Sequence, residues 1–336
     1  MRSLVRLLTA LALALALVPA SAAATDELHG AGASFPAPVY ASWAEAWGPG
    51  CGCSLRYDAV GSGAGVALVE GGRVDFGASD APLPQAELER AQLRQFPAVI
   101  GAVVPVVNIA GIAPGRLALD AATLSAIYRG RIRRWDDAAI ARLNPGLALP
   151  GANITVVHRE EPSGTTFLWS RYLAETDAAW RTELGSGTTL AWPQGIGGRG
   201  NEGVASLVRR TRWAIGYVEY AYARRHGLAD VALPARDGPL VRAGRDSFEA
   251  AVAAARWDAP ADLAQGLTNE PGARSWPIVG ASFVLVPEHA ARAARALAFF
   301  RWALESGAAQ ASALDYVPLP APAARLVERI LQPATH

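Results

Sequence analysis

The stretch Asn153-Ile-Thr-Val-Val-His158-Arg159-Glu160-Glu161-Pro162-Ser163-Gly164-Thr165-Thr166-Phe-Leu-Trp-Ser-Arg-Tyr-Leu173 divides into three parts. The first is β-branched and apolar and stops abruptly, which predicts a buried strand. In the last, Leu168 and Tyr172, and Trp169 and Leu173, stand four apart, which predicts a helix. Between them lie one guanidinium, two hydroxyl residues and a glycine at the helix start. A helix N-terminus leaves backbone N–H groups without partners and carries partial positive charge. Gly164 lets the backbone close on a ligand, Ser163 and Thr165 donate hydroxyls, and Arg159 adds a planar fork of donors. Such a turn suits a small oxyanion. Glu160 and Glu161 are adjacent on an extended segment and point to opposite sides, so one partners Arg159 and the other is solvated.

The same event recurs: a strand, a Gly- or hydroxyl-rich turn, a helix start. It occurs at Ser34 after a strand from Leu28, with the helix running from Pro36 toward Trp47. It occurs again at Ser62, where Gly61-Ser-Gly-Ala-Gly65 follows a strand over Ser54–Val60 and precedes a helix over Val66–Glu70. A strand over Arg73–Ala78 ends at Ser79-Asp80, and a helix is expected over Pro82–Leu93. Val99–Ile109 and Ile278–Val286 are almost wholly apolar and read as buried strands crossing between two units. Ala214–Glu219 is a further strand. Helices are expected over Thr123–Tyr128, Asp136–Leu143, Val204–Arg210, Phe248–Ala255, Glu288–Glu305 and Ala323–Leu331. Gly195–Gly203 and Arg236–Gly244 read as loops. Alternating strands and helices imply an α/β fold that binds its ligand at the carboxyl ends of strands.

At 336 residues the chain exceeds what one core usually spans. Residues 1–24 read as a secretory signal peptide: Arg2 and Arg6 precede an apolar run from Leu7 to Val18, and Ala22–Ala24 offer small residues for cleavage. No later apolar run has membrane length, so a soluble exported protein without a membrane span is expected. The precursor carries +1; without Arg2 and Arg6 there are 29 basic and 30 acidic residues, a net −1. That balance speaks against a nucleic-acid partner. Every basic residue is Arg, so a Walker lysine, a Schiff base and a Ser–Lys dyad are all excluded. Cys51 and Cys53 are the only cysteines; an oxidising compartment favours pairing, while their spacing closes a very small ring, and both states stay open. The histidines (His29, His158, His226, His289 and His336) are not at metal spacing, and no metal or cofactor is expected. Gly195-Ile-Gly197-Gly-Arg-Gly200 lacks a preceding strand and is a weak dinucleotide signal. No Gly-X-Ser-X-Gly elbow occurs. His158 could assist hydrolysis of a bound ester but reads more simply as a strand end. The tryptophans read as core or helix-face residues.

Several ordered segments resemble the periplasmic phosphate-binding protein of ABC-type phosphate importers, the PstS family. They are Gly30-Ala-Gly-Ala-Ser34-Phe35-Pro-Ala-Pro-Val-Tyr40, Val74-Asp75-Phe-Gly-Ala-Ser-Asp80-Ala-Pro82, Trp135-Asp-Asp-Ala-Ala-Ile140, Ser163-Gly-Thr165, Gly197-Gly-Arg-Gly-Asn201 and Ala214-Ile-Gly-Tyr-Val-Glu-Tyr-Ala-Tyr222. The resemblance covers nearly all of the mature chain. It implies a two-lobed periplasmic binding protein of type II-like architecture, each lobe a sheet flanked by helices, joined by two hinge strands. Residues 25–106 and 280–336 would form one lobe and 107–279 the other. It implies phosphate contacts from Ser34, Phe35 through its backbone, Ser62, Asp80, Arg159, Ser163, Gly164 and Thr165, with Glu161 in support. It further implies a monomeric, non-enzymatic periplasmic receptor of inorganic phosphate serving membrane permease subunits. Two departures stand out: Ser34 replaces the family's usual Thr, and Glu161-Pro162 replaces its usual Asp-Gly, which leaves open whether Glu161 or Glu160 pairs with Arg159. The competing functions are a secreted phosphatase on the same scaffold and a receptor for another tetrahedral oxyanion such as sulfate or molybdate.

Overall fold

A computed structural model describes residues 26–288 and 293–332. The expected signal peptide and its cleavage site lie outside the described residues. So do His289, His336 and part of the helix expected from Glu288, of which Ala293–Ser306 is described.

Among the described residues the strands are β1 (Asp26–Gly32), β2 (Cys53–Asp58), β3 (Phe76–Ser79), β4 (Leu93–Val107), β5 (Thr155–Arg159), β6 (Ile196–Gly198), β7 (Ala214–Glu219), β8 (Ala229–Asp230), β9 (Leu233–Pro234), β10 (Leu240–Val241) and β11 (Val279–Pro287). The main sheet runs β2-β1-β3-β11-β4-β7-β5-β6, with β8 also on β4. The first three strands pair in parallel, and β5 pairs in parallel with both β6 and β7. β11 inserts antiparallel between β3 and β4, and β4 meets β7 antiparallel.

β4 joins the two halves. Its residues up to Ala102 pair with β11, and from Val103 onward they pair with β7. All but its first few residues are buried on both faces, because each side is covered, which explains the unbroken apolar run seen in the sequence. The fold is therefore α/β and two-lobed, with a parallel set of strands on either side of an antiparallel seam.

Several boundaries shift from the sequence expectations. The first helix runs on to Cys51, through Gly48, Pro49 and Gly50, and closes on Gly52 in the left-handed conformation. The helix expected from Val66 starts at Ser62, so the glycine-rich turn is its first turn. The helix expected over Pro82–Leu93 is only Gln85–Ala91, and β4 already begins at Leu93. The Gly195–Gly203 loop contains β6, and its helix begins at Gly200. Arg236–Gly244 includes β10, which forms a small hairpin with β9. Short helices at Ala178–Glu183, Tyr220–Arg225 and Ala308–Ala313 carry too few periodic residues to be read in advance. Cys51 and Cys53 are joined as a disulfide at the outer edge of the sheet.

The core is continuous through both halves and rich in aromatic side chains. Trp135, Trp169, Trp180 and Trp276 are fully buried, in keeping with core roles. In the first half the Phe76 ring is enclosed by Tyr40, Tyr57 and Phe300. It lies directly over Gly30, where an added Cβ would fall 2.1 Å from the ring. Because the ring cannot swing aside, Gly30→Ala is expected to destabilise the fold by about 1–3 kcal/mol. A lowered urea midpoint checks this; an unchanged midpoint would show that the aromatic cluster yields.

Candidate functional site

The site lies where strand ends and helix starts from both halves of the chain converge. β5 delivers Arg159 as its last residue. Glu160, Glu161 and Pro162 then turn the chain into the Gly164–Thr176 helix. Ser163 is the N-cap, its Oγ accepting from Thr166 N at 3.2 Å. From the first half come Ser34, at the start of the Ala37–Cys51 helix, and Ser62, in the first turn of Ser62–Glu70. Asp80 follows directly on β3. Ser34, Ser62, Asp80, Arg159, Ser163 and Thr165 are all at least 97% buried, which is unusual for polar side chains.

Contacts between the two halves run through these residues. Ser62 Oγ accepts from Gly164 N at 3.0 Å and from Asp80 N at 3.3 Å. Gly63 N donates to Pro162 O at 3.4 Å. Ser34 Oγ accepts from both the backbone N and the side-chain Nδ2 of Asn201, each at 3.0 Å. Tyr222 donates to Ser34 O at 2.7 Å, and Tyr316 Oη lies 2.6 Å from Phe35 O. Gly164 touches Asp80 so closely that a Cβ there would stand 2.5 Å from the Asp80 Cβ. Glycine is thus required at the helix start for the acid to approach it.

Arg159 is held from several directions. Its Nε donates to Glu161 Oε1 at 3.1 Å, its Nη2 also reaches Oε1, and its Nη1 donates to Thr165 Oγ1 at 3.2 Å. Its backbone N donates to Tyr217 Oη at 3.3 Å, and that hydroxyl pairs with Thr166 Oγ1 at 2.7 Å. The Tyr217 ring stacks on Trp169, 4.8 Å between centroids. Glu161 is therefore the partner of Arg159, and Glu160 is exposed. The longer side chain in place of Asp is accommodated because Gly200 N also donates to Glu161 Oε1, at 3.0 Å.

The two acids of the site are pushed in opposite directions. Burial works to raise the Glu161 pKa, but the hydrogen bond and charge of Arg159 outweigh it, and the carboxyl ends below its ordinary range. Burial raises Asp80 to about 7 against two opposing effects, a hydrogen bond from Ser282 Oγ at 2.8 Å and the more distant charge of Arg159. Burial thus holds Asp80 near neutrality next to the N-terminus of the Gly164–Thr176 helix. His158 faces elsewhere: its ring stacks on Trp192 and Nδ1 pairs with Arg159 O at 2.9 Å. Among the described residues no group of His, Cys, Asp and Glu is arranged to hold a metal, and no helix is long and apolar enough to cross a membrane.

A family model described as a PBP superfamily domain matches residues 17–306. The phosphate-binding protein PstS of Haemophilus influenzae is 45% identical over 302 residues, covering 89% of this chain and 90% of that one. The PstS of Pasteurella multocida is 45% identical over 296 residues, covering 87% and 86%. The chain belongs to the PstS family of phosphate-binding proteins. Among solved structures, the phosphate-binding protein from Stenotrophomonas maltophilia superposes with a TM-score of 0.67 at 19% identity, over 91% of this chain and 94% of that one, which shows a shared fold.

Side chains that no sequence argument singled out support this candidate site. Asn201 bridges Ser34 and Thr165, the latter at 3.2 Å, and its Oδ1 accepts from Glu219 N at 2.9 Å. Ser282 holds Asp80, Tyr217 holds Arg159, and Tyr222 and Tyr316 hold the backbone at 34–35. Asn201, Tyr217 and Tyr222 stand inside segments already matched to the family, so their presence was visible and their role was not. Ser282 and Tyr316 gave no signal, since only the tertiary fold brings them here.

The Arg159–Glu161 pair yields a directional expectation. Glu161→Ala leaves a buried guanidinium without its counter-charge and should cost about 3–5 kcal/mol of stability. Glu160→Ala should change stability by no more than about 0.5 kcal/mol. Because the Glu161 pKa is depressed in the fold, its contribution is present above the unfolded carboxylate range and is lost as pH falls through the folded value. Urea denaturation of both variants at neutral and acid pH checks this; equal losses at neutral pH would mean that the pairing does not govern the turn.

Proposed function

We propose that this chain captures inorganic phosphate between its two lobes and delivers it to the membrane permease subunits of an ABC phosphate importer. In this reading it is exported to the periplasm, works as a monomer, needs no cofactor and catalyses no reaction. The lobes are residues 25–106 with 280–336, and 107–279. The change of β4 partners at Ala102–Val103 lies close to the first boundary, and β11 begins at the second.

Phosphate is held by Ser34, the backbone of Phe35, Ser62, Asp80, Arg159, Ser163, Gly164 and Thr165, while Glu161 orients the guanidinium. Hydroxyls, the N–H groups of the Gly164–Thr176 helix start and Arg159 balance the anion's charge. Since these groups come from both sequence halves, an anion between them favours the closed arrangement by differential contact. The observation that carries the reading is Asp80, a buried acid placed among donors. Once Asp80 is ionised, phosphate still has a proton to share with that carboxylate, whereas sulfate has none and sets acceptor against acceptor, so the discrimination strengthens as pH rises through about 7. The acid thus rejects the wrong anion by an unfavourable contact. Against hydrolysis stands His158, whose stacking on Trp192 and bond to Arg159 O leave it poorly placed as a general base.

Titration calorimetry with phosphate, sulfate and molybdate tests the proposal. Wild type should prefer phosphate by several orders of magnitude. Arg159→Ala removes the full positive charge nearest the anion and should weaken phosphate by about 2–5 kcal/mol. A variant that binds phosphate as tightly as wild type would remove Arg159 from the contact set.

Asp80→Asn can offer an N–H where the carboxylate only accepts. It should keep phosphate binding and narrow the phosphate-to-sulfate ratio. Equal sulfate exclusion by wild type and variant would place the selectivity on other groups.

A further inference from the structure

The Tyr316 hydroxyl has one proton and two oxygen neighbours that would each take it. Phe35 O lies 2.6 Å away and Glu219 Oε2 lies 2.9 Å away. A peptide carbonyl has no proton to give. If Tyr316 donates to an ionised Glu219, two oxygens are left 2.6 Å apart with nothing between them. If Tyr316 donates to Phe35 O, the other contact needs a proton from the acid. Glu219 Oε2 also accepts from Ala221 N at 2.9 Å, a bond that a protonated oxygen keeps through its remaining lone pair, though more weakly than a carboxylate would.

The surroundings of Glu219 favour the same assignment. The residue is fully buried at the end of β7, and its Oε1 has no hydrogen-bond partner among the described residues. A charged oxygen left bare in this way costs far more than a neutral one. The groups facing it are Tyr316, Tyr222, the N–H groups of Ala221 and Tyr220, and a second acid, Asp80. Burial pushes the Glu219 carboxyl well up; the bonds from Tyr316 and from the backbone of Ala221 and Tyr220 oppose this, and repulsion from Asp80 reinforces it.

We infer that Glu219 is a protonated carboxylic acid that donates to Tyr316, so that Tyr316 donates to Phe35 O and fixes the 34–35 backbone at the candidate site. Glu219 is a positioning residue: it acts through Tyr316 rather than on the ligand. Tyr222, three residues along the same strand-to-helix turn, holds Ser34 O in parallel. The segment 219–222, from the end of β7 into the following helix, thus bears on both peptide units before the Ala37–Cys51 helix. The functional half of the inference rests on the phosphate reading above; the protonation does not.

Two measurements separate these halves. Carbon-13 NMR of assigned side-chain carboxyls across a pH titration of wild type should show Glu219 still protonated above the ordinary carboxylate range, near pH 4, whereas Glu161 stays ionised to lower pH. The Glu219 resonance should shift in Tyr316→Phe and be absent in Glu219→Gln. A Glu219 signal that titrates as a common carboxylate overturns the inference, and this holds even if neither variant folds, because wild type alone decides it. In calorimetry with inorganic phosphate, Glu219→Gln should bind about tenfold more weakly. An amide at that position cannot both donate to Tyr316 and accept from Ala221 N with one atom. Tyr316→Phe should show a similar loss, and the double variant little more, because the residues act in series. Unchanged affinity in Glu219→Gln, with Glu219 neutral in wild type, overturns the positioning role. Wild type that binds no phosphate, with Glu219 neutral, overturns the phosphate reading and with it that role, but leaves the protonation standing.

Discussion

A guanidinium that is nearly out of reach of water sets the terms for the centre of this molecule. Burying Arg159 without compensation would cost several kcal/mol, so the fold has to bring a counter-charge and acceptors to it. Glu161 supplies the charge from two residues away, Thr165 supplies an acceptor from the next helix turn, and Tyr217 pins the backbone from β7. Gly200 N, at the start of another helix, closes the set by bonding the same Glu161 oxygen. Each of these partners comes from a different element. Satisfying one charge therefore fixes the relative placement of β5, β7, the Gly164–Thr176 helix and the Gly200–Arg210 helix.

Three acids lie close to this centre and meet three fates. Glu161 is ionised by its pairing with Arg159, Asp80 is brought near neutrality by burial, and Glu219 has no cation in contact among the described residues. The difference comes from placement rather than residue type. A single arginine cannot neutralise three carboxylates, and the geometry directs its charge to one. The remaining two then differ by what surrounds them. Asp80 receives Ser282 and faces a helix start, whereas Glu219 leans on a tyrosine already engaged with a carbonyl.

Much of this was legible from residues. β7 matches the expected Ala214–Glu219, and β11 matches its expectation to within a residue, because fully covered strands appear as uninterrupted apolar runs. The Ser163-Gly164-Thr165 turn was legible because its chemistry is local: a cap, a glycine and a helix within a few positions. The start of the Ser62–Glu70 helix was missed because three nearby glycines argue for a loop, while the structure needs them for close approach. Gly65 sits against the backbone of Gly32 and Ala78, where any Cβ would collide. The supporting side chains were illegible for a different reason. Ser282 and Asp80 are separated by 202 positions and Tyr316 and Phe35 by 281, so nothing short-range encodes their meeting.

The place of β11 has a consequence for how the chain reaches this state. It lies between β3 and β4, yet it is the last strand in sequence. The early strands β1, β2 and β3 have no hydrogen-bonded route to β4 until residues 279–287 arrive. Assembly of the sheet must therefore wait for contacts between distant parts of the chain, and the loop entropy of bringing them together precedes any reward. An incomplete chain lacking its last fifth would expose the β3 edge and leave Asp80 without Ser282. Folding is committed late, and the commitment and the completion of the candidate site are the same event.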